Sequence, residues 1–513
     1  MSPAPETGSR PGRIWRSVDR AADGLAADLG LYALSALFAW STATGSTLTS
    51  HRAWGALAVW GYAAATLAVL VQLLLRRRPG PPSHDHSTCQ AGGGRGGQDT
   101  HECQASPAIL AGADRRGVVS RGWVTAGAWV SVVLVPLVAQ AAARAGGMNG
   151  RAQEEVLVVE ESARRLLDTG TPYLGRDGIA ALPEPLLGYT PYQPGMAVFG
   201  LPRAVFGDSW WTDARIWFAL VTVLVVALAA RLLRDGSAAR DTLLVRAVQA
   251  ATVLPLCALT LATGGDDLPV LALCLLAFAL AARDRFGWAG VAIGAAAAMK
   301  LLAWPVVLVL GAYALVRRSG LRYAVGAAGL PLLALIPALL VEPAAFVENV
   351  IRFPTGHGLV TSPAASPLLG YLIAQHVPGG RLVALSLLAL GALAVGLWLL
   401  RRPPRDAGAA ALITATGLLT AIILMPATRF GYLLYPAALA LWSLPSAHPL
   451  PLIMNLWHGS TACRRNNFMI TLVGADGLAE PAARGGGRPG LSAPKGGIRR
   501  SGCTRRWRRP GRR

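Results

Sequence analysis

Residues 264–318, GGDDLPVLALCLLAFALAARDRFGWAGVAIGAAAAMKLLAWPVVLVLGAYALVRR, decide the fold of this chain. Three apolar runs lie in this stretch, and they are separated by the basic segment RDR and by a single lysine, Lys300. Such dense apolar runs with so few charges are typical of helices embedded in a bilayer. The stretch therefore predicts membrane helices, with its polar residues gathered at the helix ends.

The composition of the whole chain supports this prediction. Of 513 residues, 53% are hydrophobic and 15% are charged, and the mean hydropathy is +0.44. We therefore predict an all-α polytopic membrane protein with about 12 transmembrane helices, within a range of roughly 10 to 13. The predicted spans lie near 29–48, 54–75, 122–143, 212–233, 244–262, 267–283, 286–300, 301–317, 321–341, 381–400, 408–426 and 430–446.

The charges of the loops predict an orientation. Arginine clusters recur in every second loop, for example at 76–78, 283–285, 317–322 and 401–405. By the positive-inside rule these loops face the cytoplasm, so both termini are cytoplasmic and the remaining loops face out of the cell membrane. The formal net charge of +21 is assigned to these loops and to the tail, where it contacts anionic lipid, and nucleic acid is not an expected partner.

The pattern divides the chain into five parts. These are a cytoplasmic segment 1–28, a two-helix addition 29–80, a disordered cytoplasmic loop 81–121, a transmembrane core 122–446 with an outer loop 144–211, and a basic, disordered cytoplasmic tail 447–513. The outer loop opens with QEEVLVVEESARRLLDTG, which predicts an amphipathic helix on the membrane surface that ends at Gly170. The predicted cytoplasmic loop 81–121 holds His84, His86, Cys89, His101 and Cys103, whose spacing fits no standard zinc site, and no disulfide framework is expected.

Acidic residues are candidates for chemistry on the outer face. Glu154 and Glu155 open the amphipathic helix, and Asp266 and Asp267 directly precede an apolar helix. Two interpretations of the aspartates stay open. Either they cap the helix N-terminus, which the helix dipole favours, or they orient a substrate hydroxyl or hold a divalent cation such as Mg²⁺ or Mn²⁺.

Cationic residues gather at the same predicted ends. Lys300 interrupts an apolar stretch, where a charge is costly, so it either extends to the interface or serves as a point charge for a phosphate. Arg352 and Arg429 lie at outer ends, against the positive-inside bias, and each should have an acidic or phosphate partner. His357 is interpreted as a solvated loop histidine, with a role in the site as the alternative. The tyrosines near these positions are further candidates: Tyr189, Tyr192 and Tyr432.

Three sequence elements together resemble a known family. They are an outer loop that carries an acid (QEEVLVVEESARRLLDTGTPYL), a Tyr- and Pro-rich run (YTPYQPGMAVFGLP), and the stretch from GGDDLP through AGVAIGAAAAMKLLAWP. Over about residues 122–446 the arrangement resembles the GT-C superfamily of polyprenyl-phosphate-sugar-dependent glycosyltransferases, and most closely the actinobacterial mannosyltransferases of glycosyltransferase family 87. One departure is that the first outer-loop acid, commonly Asp in such enzymes, is here Glu154 or Glu155.

The resemblance implies a function and a set of residue roles. It implies transfer of a hexose, with mannose expected, from a polyprenyl-phosphate sugar to a cell-envelope glycan or glycolipid on the outer face of the membrane. The roles are a base for the acceptor proton, cations for the donor phosphate, and acids that position the acceptor or a cation. They fall on Glu154 and Glu155, on Lys300, Arg429 and Arg352, and on Asp266 and Asp267, respectively.

The alternative is a polytopic transporter or lipid flippase without transferase activity. A transporter predicts inverted repeats and ionisable residues or broken helices near the bilayer midplane. The sequence has no clear internal repeat, and its candidate residues lie at predicted outer ends. The transferase is therefore the favoured hypothesis.

Overall fold

The structure, a computed structural model, describes residues 24–77 and 121–447. Within these ranges it is helical apart from turns, loops and one isolated bridge between Ala365 and Thr428. The predicted all-α membrane architecture is thereby confirmed. The predicted loop histidines and cysteines, almost all of the predicted cytoplasmic loop and tail, and most of the N-terminal segment lie outside the described residues.

Eighteen helices are named here in chain order across those two ranges. They are α1 Leu25–Gly45, α2 Thr49–Arg77, α3 Arg121–Ala145, α4 Glu154–Thr169, α5 Arg176–Ala180, α6 Leu201–Phe206, α7 Ala214–Leu233, α8 Ala238–Thr252, α9 Pro255–Thr263, α10 Asp267–Ala282, α11 Phe286–Ala297, α12 Trp304–Val316, α13 Gly320–Val341, α14 Pro343–Phe346, α15 Leu369–His376, α16 Gly380–Arg401, α17 Ala407–Leu424 and α18 Leu434–Ser446. The same ranges contain π-helical segments at Val130–Leu134, within α3, and at Val347–Arg352, after α14.

The number of helices long enough to cross a bilayer is smaller than the sequence predicts. In the described part of the chain, α1, α2, α3, α7, α13, α16 and α17 are long and apolar enough, and α8 with α9, bent by 42°, adds an eighth span. Helices α10 and α11 have 16 and 12 residues. At about 1.5 Å per residue they reach about 24 and 18 Å, short of the ~30 Å hydrocarbon core. The predicted count of about 12 spans is therefore not confirmed.

Helix α10 lies at the centre of the molecule. Fourteen of its 16 residues are buried, which no single apolar face would produce. It packs against α7, α11, α17 and α18, so a helix that is apolar on all sides is surrounded by protein. The two acids at its start are fixed by this packing.

Glycines allow α11 and α13 to cross at close range. A Cβ added to Gly290 would lie 2.1 Å from the carbonyl oxygen of Tyr323, and one added to Gly294 would lie 2.2 Å from that of Gly326. Small residues four apart are a common device for close helix packing in membranes. The crossing holds α11 rigidly, with Lys300 at its C-terminal end.

The N-terminal helix pair is attached to the core by directed polar contacts. Pro136 has no N–H to offer to the carbonyl of Val132, and Trp54 of α2 donates to that carbonyl instead at 2.9 Å. Asp28 of α1 is buried between Arg121 at 2.7 Å and Arg246 at 2.6 Å. Both contacts join α1 and α2 to elements of the core.

The predicted amphipathic helix is confirmed as α4. It ends where Gly170 adopts φ 79°, a left-handed cap that favours glycine. The predicted apolar face consists of Val156, Val159, Ala163, Leu166 and Leu167. Its first three members are buried, whereas Leu166 is partly exposed and Leu167 is 55% exposed. The helix thus holds Glu154 and Glu155 in its first turn.

Candidate active site

The two acids of the GGDD segment lie at a sharp turn between α9 and α10. Helix α9 ends at Thr263, and Gly265 has φ 95°, which side chains other than glycine rarely allow. A Cβ at Gly265 would also come within 2.8 Å of the Phe218 ring. The turn places Asp266 and Asp267 in the interior, where they are 3% and 5% exposed.

Lys300 lies between these acids. Its Nζ is 2.7 Å from Asp266 Oδ2 and is also ion-paired with Asp267. Tyr435 donates a hydrogen bond from its hydroxyl to Asp267 Oδ1 at 2.8 Å. The three side chains form a buried, ion-paired cluster, which we call the lysine triad. Its polar groups are mutually bonded, as burial requires.

Two aromatic rings lie beside the triad. Nζ of Lys300 is 5.4 Å from the ring centroid of Tyr192 and 5.6 Å from that of Tyr432, within the range of cation–π attraction. The outer loop brings Tyr192 there because the next residue, Gln193, donates its backbone N–H to Met299 at 3.0 Å. Residues from three distant segments therefore surround the ammonium.

The acids of the predicted outer loop lie close to the same turn. Gln153 donates its backbone N–H to the carbonyl of Thr263 at 2.9 Å. Thr263 lies three residues before Asp266, so this bond holds the start of α4 against the turn that carries the two aspartates. Glu155 is ion-paired with Arg429. Glu154 is exposed, and its carboxylate has no hydrogen bond or ion pair within residues 24–77 and 121–447.

A second polar cluster holds other predicted residues. Glu348 is buried and bonds Arg176 at 2.9 Å and the Tyr189 hydroxyl at 2.8 Å. Arg352 lies 3.7 Å from Glu348 and remains half exposed. His357 is exposed, and its Nδ1 is 3.2 Å from the hydroxyl of a neighbouring threonine. The structure records no direct bond between this cluster and the lysine triad in the part of the chain that it describes.

The electrostatics of this second cluster follow from its bonds. Burial raises the pKa of Glu348, but hydrogen bonds from Tyr189 and Arg176 and the arginine charges outweigh it, so the pKa is lowered overall. Burial is also the largest cause of the raised pKa of Tyr189. Glu348 is therefore a carboxylate at neutral pH, and Tyr189 is a neutral hydrogen-bond donor.

Sequence reasoning missed a third set of charges, beneath α4. Glu160 accepts hydrogen bonds from Arg144 at 2.9 and 2.6 Å and lies 3.2 Å from Arg203. Arg144 also bonds Asp213, which pairs with Arg215 at 2.8 Å. Burial would raise the pKa of Asp213, but bonds from Arg215 and Arg144 lower it to about 2. The one sequence signal for this set was Arg144, which directly follows the predicted span 122–143 at its predicted outer end.

No group of three or more histidine, cysteine, aspartate or glutamate side chains that could hold a metal ion occurs in residues 24–77 and 121–447. Asp266 and Asp267 offer hard carboxylate oxygens, the ligands that Mg²⁺ and Mn²⁺ prefer, but Lys300 bonds both of them. A divalent cation at this site stays a prediction.

Comparison with known proteins gives one family match and two structural ones. Residues 189–426 match the model of glycosyltransferase family 87. The crystal structure of ArnT from Cupriavidus metallidurans bound to undecaprenyl phosphate aligns with 20% identity over 63% of this chain and 59% of that chain, at a TM-score of 0.40. The apo structure of the same protein aligns with 21% identity over 57% and 54%, at a TM-score of 0.36. The chain thus spans less than two thirds of the length of these structures.

No curated protein matches the chain. The family match covers the turn with Asp266 and Asp267, the whole of α10 and α11, and Lys300. The resemblance drawn from the sequence is confirmed over this region: residues 189–426 are similar to glycosyltransferase family 87.

Proposed function

We propose that this protein is a multi-pass membrane glycosyltransferase that moves a hexose, mannose in the first instance, from a polyprenyl-phosphate sugar. The acceptor is a cell-envelope glycan or glycolipid on the outer face of the cell membrane. The match of residues 189–426 to the model of glycosyltransferase family 87 supports the transfer chemistry. The apolar spans support a lipid-linked donor, and the arginine distribution supports the outward orientation.

The ion pair between Glu155 and Arg429 is the observation that carries the proposal. Transfer from a lipid phosphate needs a carboxylate for the acceptor proton and a cation for the leaving phosphate. Both residues lie outside the matched residues 189–426, but the residues next to them form hydrogen bonds with that region. Gln153 bonds Thr263, and Thr428 donates its N–H to a carbonyl of the loop before α15 at 3.0 Å.

In the proposed reaction a carboxylate accepts the proton of the acceptor hydroxyl, while the oxygen of that hydroxyl bonds to the anomeric carbon of the sugar. The bond from that carbon to the donor phosphate oxygen breaks, and the phosphate leaves with the electron pair. The transition state has oxocarbenium character. Glu154 can act as the base without breaking an ion pair. Glu155 must first separate from Arg429, and an arriving donor phosphate would favour this separation by attracting Arg429.

The cations differ in how available they are for the phosphate. Arg429 is 35% exposed in its side chain and, among the residues that the structure describes, pairs with one acid, Glu155, so it is the first choice. Lys300 is 11% exposed in its side chain and is shared between two aspartates. We propose that Lys300 chiefly holds Asp266 and Asp267 ready for the acceptor or a cation, with direct phosphate contact as a second role. Arg352 is the remaining candidate.

The test is transfer of radiolabelled mannose from polyprenyl-phosphate-mannose to endogenous acceptors in membranes that contain the full chain. Variants Glu154→Gln and Glu155→Gln remove each candidate base while keeping its shape, and Arg429→Gln removes the first-choice cation. Glu161→Gln is the matched control, because Glu161 lies on the same helix, is partly exposed and, like Glu155, is ion-paired, here with Arg164 and Arg165. We expect a loss of about 10²-fold or more for one glutamate variant and for Arg429→Gln.

Other outcomes would change the proposal. Equal activity of all variants and wild type would remove these residues from the reaction. No protein-dependent transfer from this donor would reject mannose, and failure with a panel of other polyprenyl-phosphate sugars would reject the transferase and favour the transporter. Loss on Glu161→Gln would show that the effects arise from α4 stability rather than from chemistry.

A further inference from the structure

A pocket of about 310 Å³ opens at the end of α11 opposite to Lys300. Its walls come from the turn between α10 and α11 and from the start of α13, and they include Arg285, Gly287, Trp288 and Arg322. Helix α11 has 12 residues, so the pocket and Lys300 are separated by about 18 Å along its axis. The volume lies at the lower end of the ~300–1,000 Å³ found for ligand sites.

The pocket carries uncompensated positive charge. The side chains of Arg285 and Arg322 are exposed and make no hydrogen bond or ion pair within the described ranges 24–77 and 121–447. Asp284 also lines the pocket, but its carboxylate is bonded by Arg317 at 2.7 Å. Two arginines thus line one opening, and its one lining acid is already paired, an arrangement that suits a phosphate group.

The surroundings of the pocket are apolar. Trp288 is 67% exposed, and on α13 Leu321 and Val325 are 82% and 68% exposed. Large exposed side chains on membrane helices face lipid, and tryptophan is enriched at the level of the headgroups. The occupant should therefore combine a phosphate with an apolar body, which a free phosphate does not.

We propose that this pocket binds the phosphate headgroup of an anionic phospholipid, with Arg285 and Arg322 on the phosphate and Trp288 at the headgroup border. The site lies at the opposite helix ends from the lysine triad, so it is separate from the proposed transferase site. By the arginine distribution it faces the cytoplasm, where basic pockets between membrane helices meet anionic headgroups.

The test is native mass spectrometry of the full chain in neutral detergent, titrated with phosphatidylglycerol and with phosphatidylcholine of the same acyl chains. We expect discrete phosphatidylglycerol adducts and far weaker phosphatidylcholine binding. In the double variant Arg285→Gln/Arg322→Gln, phosphatidylglycerol should bind roughly thirtyfold more weakly. Gly287→Leu should weaken binding while keeping both charges, since a Cβ there meets only the Arg322 carbonyl at 3.8 Å and the backbone tolerates it.

The matched control is Arg401→Gln/Arg402→Gln, which removes two exposed arginines from the C-terminal end of α16, on the same predicted face. Equal loss in the control would overturn the site in favour of a diffuse charge effect, and so would equal binding of the two lipids. Displacement of the lipid by an equal concentration of glycerol 3-phosphate would overturn the lipid assignment in favour of a soluble phosphate. Thermal unfolding in phosphatidylcholine, matched to wild type, confirms that each variant is folded.

Discussion

Replacing Lys300 with methionine tests whether the lysine triad is a unit. The substitution keeps the length of the side chain and removes the ammonium that bonds both Asp266 and Asp267. The acids are 3% and 5% exposed, so water cannot replace the lost partner. Breaking a buried ion pair by removing one partner typically costs about 3–5 kcal/mol, and we expect a loss of unfolding free energy in that range.

A second background gives the control. In Asp266→Asn/Asp267→Asn the two charges are absent, so Lys300→Met should cost roughly 2 kcal/mol less there than in wild type. The assay is unfolding in mixed micelles by SDS titration, followed by far-UV circular dichroism. If Lys300→Met costs the same in both backgrounds, the triad is not an energetic unit and Lys300 is free to serve the donor phosphate.

Three further predictions concern the frame around the site. Glu348→Gln should lower the unfolding free energy by about 1–3 kcal/mol at pH 7. Because the pKa of Glu348 is lowered in the folded protein, this stabilisation is lost as pH falls, so the gap between the denaturant curves of variant and wild type should narrow below the ordinary glutamate pKa of about 4.3 and close below the lowered pKa. Gly290→Val should cost about 3 kcal/mol or more in the same SDS assay, since its Cβ would meet a backbone oxygen at 2.1 Å, whereas Gly329→Val, with no atom within 4 Å, should be tolerated; equal costs would contradict the close crossing. Trp54→Phe should cost about 1–3 kcal/mol by leaving the Val132 carbonyl unpaired, and an unchanged melting temperature would argue against that bond.

Composition and periodicity predict much of the fold. The apolar fraction gives the all-α membrane class, and the spacing of Val156, Val159 and Ala163 gives α4 with its end at Gly170. The number of spans was not predictable in the same way. An apolar run shows that a helix is buried, but not whether lipid or protein covers it, and α10 is covered almost wholly by protein.

The site shows the same division. Placing Asp266, Asp267 and Lys300 on one predicted face required only the alternation of the loops, and the structure brings these residues into contact. Glu160 could not be recognised, because it stands in a charged run that resembles a solvated helix face. Its partner Arg144 lies 16 residues away on a different element, and only tertiary packing shows that they meet.

The short helices explain why charges can lie so deep in this chain. Helices α10 and α11 are about 24 and 18 Å long, so within a hydrocarbon core of ~30 Å at least one end of each falls short of the headgroups unless the bilayer thins. Non-helical backbone at such depth is tolerated where protein covers it. The lysine triad and the ring of Tyr192 cover the backbone at the start of α10 and the end of α11, which meet near Lys300. A lipid phosphate drawn toward Arg429 would therefore approach a border between the spans where polar partners are already fixed in place, which is what transfer from a lipid-linked sugar requires.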